Sequence, residues 1–373
     1  MKLFLFLLLL IPFNVLALDT SAKSSILIDY NTGTILNEEN KDLELPMASM
    51  TKMMTVLLVM ENIDSGRIKL DDKVYISKNA ASMGGSQAYL EEGSSMSLDE
   101  LLKAVLIASA NDAAVAIGEH VAGSVTEFVK LMNKRVKELG LKHTNFVNVH
   151  GLDADNHYSS AYDMAFIAKE LLKYNYVLKY SSLYEDYIKH PNGVNTWIVN
   201  TNKLINYYDG LDGLKTGYTV NSGYCVTATA KRGEMRLISV VMGEKDNKIR
   251  NEDTISLLNY GFSNFKIDKV LGIDEYLGTI DVLFGDKTSV NLKLKEEYVD
   301  LVGKDEVNKY DYKINKKKIY APLKVGDVVG TVDIYSNSVK IKSLDLTIND
   351  EVKRASFIKL YFRNLLQLSK GHI

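Results

Sequence analysis

The stretch Pro46-Met47-Ala48-Ser49-Met50-Thr51-Lys52 places a hydroxyl and an amine three residues apart, at the opening of a run (residues 49–60) whose apolar side chains recur every three to four positions. That periodicity predicts a helix, and a spacing of three puts Ser49 and Lys52 on one helical face, within reach of each other. Serine is a weak nucleophile until a base takes its proton. Lysine can be that base only where burial or a second cation lowers its pKa. A helix N-terminus adds backbone N–H groups and the positive end of a dipole, both of which favour negative charge developing at a reacting carbonyl. The spacing alone is cheap, because Ser263 to Lys266 and Ser356 to Lys359 repeat it. A helix cap followed by a solvated lysine is the ordinary meaning of such a pair.

Two clusters further along the chain change the weighing. Ser109-Ala110-Asn111 follows the apolar run 101–108 and precedes the helical run 113–117, a place where a short loop between helices would present polar groups. Lys215-Thr216-Gly217 occurs once, beside a strand predicted from Tyr224. It joins a cation, a hydroxyl and a residue with no side chain to obstruct a ligand.

The surrounding pattern supplies an architecture. Residues 25–29 and 35–36 read as a hairpin about Asn31-Thr32-Gly33-Thr34; residues 98–122, 125–139 and 162–172 read as helices; residues 224–230 and 236–242 read as strands, followed by a helix at 252–260. Strands on both sides of a helical insert predict one antiparallel sheet built from distant parts of the chain and flanked by helices. Beyond about residue 268 the pattern becomes short alternating runs with Gly-Asp turns, which predicts a separate β-rich C-terminal domain over residues 268–350.

Composition narrows the function. The chain has 373 residues with 46% hydrophobic and 25% charged, room for two or three domains with sizeable cores. A net charge of -2 offers no global positive field, so nucleic acid is not expected as a partner. The lone Cys225 can form no internal disulfide, and within its predicted strand it reads as a small buried apolar residue. Asp153, Asp155 and His157 lack the Gly and terminal Glu of a calcium loop, so neither a metal nor another cofactor is expected.

At the N-terminus, Lys2, the apolar run 3–11 and the small residues up to Ala17 predict a signal peptide over residues 1–17 and an exported protein. The last segment, residues 351–373, carries five basic residues and no acidic one after Lys353. Phe357, Ile358, Tyr361, Phe362, Leu365, Leu366 and Leu368 fall on one side of a helical projection, with Lys359, Arg363, Gln367 and Lys370 opposite. A basic amphipathic helix of this kind suits the membrane interface, here the outer face of the cytoplasmic membrane.

In the order Ser-x-x-Lys, Ser-x-Asn, Lys-Thr-Gly, the three clusters form the set found in penicillin-binding proteins and class A β-lactamases. Together with Ala108 to Ala113, His150-Gly151-Leu152-Asp153, Tyr162-Asp163-Met164-Ala165 and Gly210 to Thr219, they make residues 19–265 resemble the low-molecular-mass penicillin-binding proteins that act as serine D-alanyl-D-alanine carboxypeptidases. The resemblance implies an α/β fold: a penicillin-recognising catalytic domain, antiparallel sheet flanked by helices, over residues 18–267, with a C-terminal β-sandwich. It implies cleavage of the terminal D-alanine from the peptidoglycan pentapeptide and inhibition by β-lactam antibiotics. Ser49 would be the nucleophile, Lys52 its base and Ser109 a proton relay. The backbone N–H groups of Ser49 and Tyr218 would form an oxyanion hole. Asn111 would bind the substrate amide; Lys215, Thr216, Thr219 and Arg250, with Gly217 leaving the approach open, would hold the carboxylate. Many members carry Gly where Ala110 stands.

Two other functions compete. A β-lactamase of class A would place Glu-x-x-Leu-Asn between the second and third clusters, and no such pentapeptide occurs there. A catalytically idle wall-binding protein would show damage at Ser49, Lys52 or Lys215, and all three are present.

Overall fold

The computed structural model describes residues 18–369, side chains to residue 366. The expected signal peptide and Lys370 lie outside the described residues. The chain divides between Asn264 and Phe265 into two compact units.

The first unit opens with β1 (Ser24–Asp29) and β2 (Ile35–Glu39), then α1 (Lys52–Asp64), β3 (Lys73–Tyr75), α2 (Lys78–Ala81), β4 (Ser95–Ser97), α3 (Leu98–Lys103), α4 (Asn111–Ala122), α5 (Val125–Glu138), α6 (Ala161–Leu171) and α7 (Tyr176–Ser181). Strands return with β5 (Glu185–Lys189), β6 (Asn195–Val199), β7 (Leu211–Thr219), β8 (Gly223–Arg232) and β9 (Met235–Glu244), and α8 (Asn247–Asn264) closes the unit. Five of these strands form one sheet in the order β2-β1-β9-β8-β7, antiparallel throughout. This is the sheet expected from strands at both ends of a helical insert.

Alternation along the strands decides which helices cover which face. Ile26, Ile28, Ile238 and Val240 join the core that contains α1 and α6, whereas Leu27 and Leu237 point the other way and meet Gly261 of α8. Helix α1 is buried along nearly its whole length, from Lys52 to Met60, so it runs through the middle of the helical layer. Helix α5 is one-sided, burying Phe128, Met132 and Val136 at a spacing of four. Ser97, Ser124 and Ser160 cap α3, α5 and α6 by accepting from the N–H three residues on.

Three expected elements differ in ways that matter for the site. The helix expected from Ser49 starts as a 3-10 turn, Ala48–Thr51, before α1 begins. The helical run over 98–122 breaks where a loop was expected, at Ser109 to Asn111, and what differs is the form of the break: after α3 a wide π turn, Ala104–Ala108, ends at Ser109 in the left-handed region with φ 64, and α4 starts two residues later. The helix expected over 252–260 begins earlier, at Asn247, because Asp246 Oδ1 accepts from the N–H groups of Lys248 and Ile249 and caps the extra turn.

The second unit is β-rich, as expected. Strands β10 (Phe265–Leu271), β11 (Thr279–Leu283), β12 (Ser289–Leu294), β13 (Tyr298–Gly303), β14 (Tyr310–Lys316), β15 (Ile319–Tyr320), β16 (Gly330–Ser336) and β17 (Val339–Ile348) form a two-stranded sheet, β10-β13, and a six-stranded one, β14-β16-β17-β12-β11-β15. Alternating Val290, Leu292 and Leu294 of β12 are all buried in a core that also holds Ile280, Leu346 and Val352. The unit ends in α9 (Phe357–Ser369).

Candidate active site

Ser49 sits in the 3-10 turn ahead of α1, and the turn is held from three sides. Ala48 occupies the left-handed region with φ 47, a strained place for a residue with a Cβ. Gly151 lies so close that a Cβ there would stand 1.9 Å from the Ala48 carbonyl oxygen, and a Cβ at Gly217 would stand 2.8 Å from that of Met47. Both approaches require glycine.

The third support is a chain of hydrogen bonds whose direction the donors dictate. The Val147 N–H donates to His157 Nδ1 at 2.9 Å, so in the neutral ring the proton sits on Nε2. Nε2 therefore donates to Thr51 Oγ1 at 2.8 Å, and the Thr51 hydroxyl donates to the Ala48 carbonyl at 2.8 Å. Burial lowers the His157 pKa to about 4, which keeps the ring neutral.

Lys52 is fully buried, and its Nζ lies 3.0 Å from Ser49 Oγ, 2.7 Å from Asn111 Oδ1 and 2.6 Å from the His150 carbonyl oxygen. Burial, followed by repulsion from Lys215, pulls its pKa well below the lysine value, against a smaller opposing pull from Asp112. A neutral amine has two N–H bonds and one lone pair. Asn111 and His150 offer only acceptors and take the N–H bonds, which leaves the lone pair facing the Ser49 hydroxyl. The Asn111 amide is oriented for this by its Nδ2, which donates to the Gly84 carbonyl at 2.7 Å. Asp112, the source of that opposing pull, is fixed by accepting from the N–H groups of Ala88, Leu90 and Ala113.

The remaining expected residues surround this pair unevenly. Ser109, presented by the wide turn, is buried with its Oγ unpaired among the described residues. Lys215, Thr216 and Gly217 lie beside the strand expected from Tyr224, β8, on the edge strand β7 that pairs with it, so the other side of the cluster is free of strand pairing. Lys215 is buried, with Nζ 3.1 Å from the Thr216 carbonyl, and burial followed by repulsion from Arg250 lowers its pKa to about 7. Thr216 Oγ1 donates to Thr201 Oγ1 at 2.7 Å, and Thr219 Oγ1 donates to Asp153 Oδ1 at 2.7 Å. The Tyr218 ring is exposed and packs on Tyr224 at 4.4 Å, leaving its backbone as the part suited to the expected role. Arg250, in the extra turn of α8, is buried and donates from Nε and Nη2 to Asn251 Oδ1. Arg250 thus lowers the pKa of Lys215, and Lys215 in turn lowers that of Lys52, along a row of three buried basic groups.

Sequence reasoning missed the supports. His157 was weighed only as a metal ligand with Asp153 and Asp155, yet it orients Thr51, and Asp153 holds Thr219. His150 and Gly84 act through backbone carbonyls, which no side-chain pattern reports.

Residues 12–246 match the family described as D-alanyl-D-alanine carboxypeptidase, and residues 265–354 match the penicillin-binding protein 5 C-terminal domain. The chain is 43% identical over 346 residues to D-alanyl-D-alanine carboxypeptidase DacF of Bacillus subtilis, covering 92% of this chain and 89% of that protein. The crystal structure of penicillin-binding protein 5 from Haemophilus influenzae matches with a TM-score of 0.73 at 35% identity, over 91% of this chain and all of that one. The ampicillin-bound penicillin-binding protein D2 of Listeria monocytogenes matches with a TM-score of 0.59 at 33% identity, over 66% of this chain and 99% of that one.

Proposed function

The chain belongs to the D-alanyl-D-alanine carboxypeptidase family, and from that premise we propose how its own residues divide the work. The protein is a serine-type peptidase that removes the terminal D-alanine of peptidoglycan stem peptides through an acyl-enzyme and is inhibited by β-lactams. Lys52 Nζ takes the proton of Ser49 Oγ as that oxygen bonds to the carbonyl carbon of the penultimate D-alanine. The N–H groups of Ser49 and Tyr218 donate to the oxyanion. When the C–N bond breaks, the proton passes from Lys52 through the Ser109 hydroxyl to the departing amine, and water later hydrolyses the ester. Asn111 holds the substrate amide with its remaining N–H. Lys215, Thr216, Thr219 and Arg250 bind the terminal carboxylate, and Gly217 leaves room for it.

The observation that carries this reading is the buried Lys52 amine, whose two acceptor-only partners leave its lone pair to Ser49. Intact-mass spectrometry after benzylpenicillin tests it. One adduct is expected, mapped to Ser49 and lost in Ser49→Ala; an adduct elsewhere overturns the assignment.

Family members act on peptidoglycan outside the cytoplasm. We infer that residues 1–17 direct export and are removed, and that α9 holds the mature protein on the outer face of the cytoplasmic membrane. No helix among the described residues is long and apolar enough to cross a membrane. Support for interfacial binding lies in the orientation of α9. Lys359 Nζ and Arg363 Nη2 donate to the carbonyls of Asp286 and Gly285, whereas Phe357, Ile358, Tyr361, Phe362 and Leu365 are all exposed. A surface helix that docks through its basic side and turns its apolar side outward suits an apolar medium.

A further inference from the structure

The chain's single tryptophan, Trp197, stands on β6 directly opposite Tyr187 of β5. Residues opposite each other in an antiparallel pair project from the same face, and here Trp197 is 58% and Tyr187 52% exposed. The next residues along each strand, Ile198 and Ile188, are buried in the core. The hairpin is therefore one-sided, with its apolar face satisfied and two large aromatics on the face where polar residues are the norm.

The hairpin is also fixed to the active site at both ends. Lys189 N–H donates to Glu100 Oε2, and Lys103 pairs with Glu100 and Asp186, which ties the strands to α3 and hence to the turn presenting Ser109. Two residues beyond β6, the Thr201 N–H donates to the Ile107 carbonyl and its hydroxyl accepts from Thr216 of the carboxylate-binding cluster.

We propose that Tyr187 and Trp197 form a platform for the glycan strand of peptidoglycan, on which sugar rings lie while their stem peptide occupies the site. This rests on the reading of the Ser49 site given above. The reach agrees in scale: Thr201 lies four backbone steps from Trp197, at most about 13 Å, and the four stem residues between the sugar and the scissile bond span up to about the same length. The chemistry agrees as well. A pyranose offers a flat C–H face with hydroxyls at its rim, and a Tyr–Trp pair offers flat apolar rings with polar edges.

Because Trp197 is the only tryptophan, its emission reports on this hairpin alone. The full chain is titrated with soluble glycan strands stripped of stem peptides, before and after acylation by benzylpenicillin. A saturable change in emission is expected in both forms, and Tyr187→Ala should weaken it. In parallel, Trp197→Ala should lower kcat/KM about 10-fold for pentapeptide attached to glycan while leaving free pentapeptide and penicillin acylation within about twofold. No response to glycan, or equal losses on the two substrates, overturns the platform, as does a response to phosphatidylglycerol vesicles in place of glycan, which would make the pair a lipid-facing patch. Failure of penicillin to acylate the unaltered chain would instead remove the Ser49 reading, and the glycan titration distinguishes the two because it needs no chemistry.

Discussion

In the proposed reaction Lys52 and Lys215, the same residue type, do opposite work, and both are buried. Lys52 must be neutral to accept a proton, and burial followed by repulsion from Lys215 lowers its pKa well below the usual lysine value, in the direction that role needs. For the proposed hold on a carboxylate Lys215 must be charged, yet burial followed by repulsion from Arg250 lowers its pKa to about 7. Since kcat/KM reports the free enzyme, it should decline as pH rises through about 7 for a substrate with a free C-terminal carboxylate, and decline much less for the corresponding amide. Steady-state profiles on the two substrates check this, and parallel profiles would remove Lys215 from carboxylate recognition. The sign for stability is the reverse. Between about 7 and the usual 10.5 the unfolded chain binds more protons than the folded one, so stability rises with pH across that window. Lys215→Met should flatten that rise in thermal unfolding. At this scale the sequence was most informative, because nucleophile and base share a short spacing. Arg250 was harder, since a charged helix opening usually faces water and only the cap at Asp246, which adds a turn to α8, carries it into the buried site.

The turn that carries Ser49 shows how a short element depends on distant ones. Its left-handed Ala48 is held by the relay from Val147 through His157 and Thr51. His157 touches the Ser49 turn through Thr51, which makes it a positioning residue in the proposed reaction. Its pKa is lowered from 6.5 to about 4, so the stability it contributes is present above 6.5 and lost as pH falls towards 4, when a second ring proton would oppose the Val147 N–H. His157→Phe should slow penicillin acylation about 10-fold and flatten the acid limb of the stability curve. Unchanged acylation with an unchanged acid limb would reduce His157 to a spacer. Helices with clear caps and an apolar stripe, such as α5 and α6, were legible in the sequence. The break at Ser109 was legible only as a possibility, since a wide turn uses the same apolar residues as a helix. The β5-β6 hairpin was not legible, because its strands are short and its outer face carries aromatics where alternation calls for polar residues.

Over the whole molecule, the alternation beyond residue 268 was enough to announce the β-rich unit, while its last boundary came from packing. Val352 and Ala355 are buried in the second unit, so a clean removal of α9 begins after Ser356. That truncation should shift the protein from membrane pellets to the soluble fraction and leave benzylpenicillin acylation within about twofold. A truncated protein that still sediments would dismiss α9 as the anchor. The central sheet has a different implication. Its strand β1, at residues 24–29, is flanked by β2 and by β9, at residues 235–244. About two hundred residues must therefore be made before the sheet can close, a contact pattern that folds slowly. Lys215 and Gly217 belong to a strand that joins that sheet only through β8. On the export proposed above, a chain threaded N-terminus first through a secretion channel stays open until nearly the whole first unit has crossed, and its catalytic centre is assembled only after the crossing.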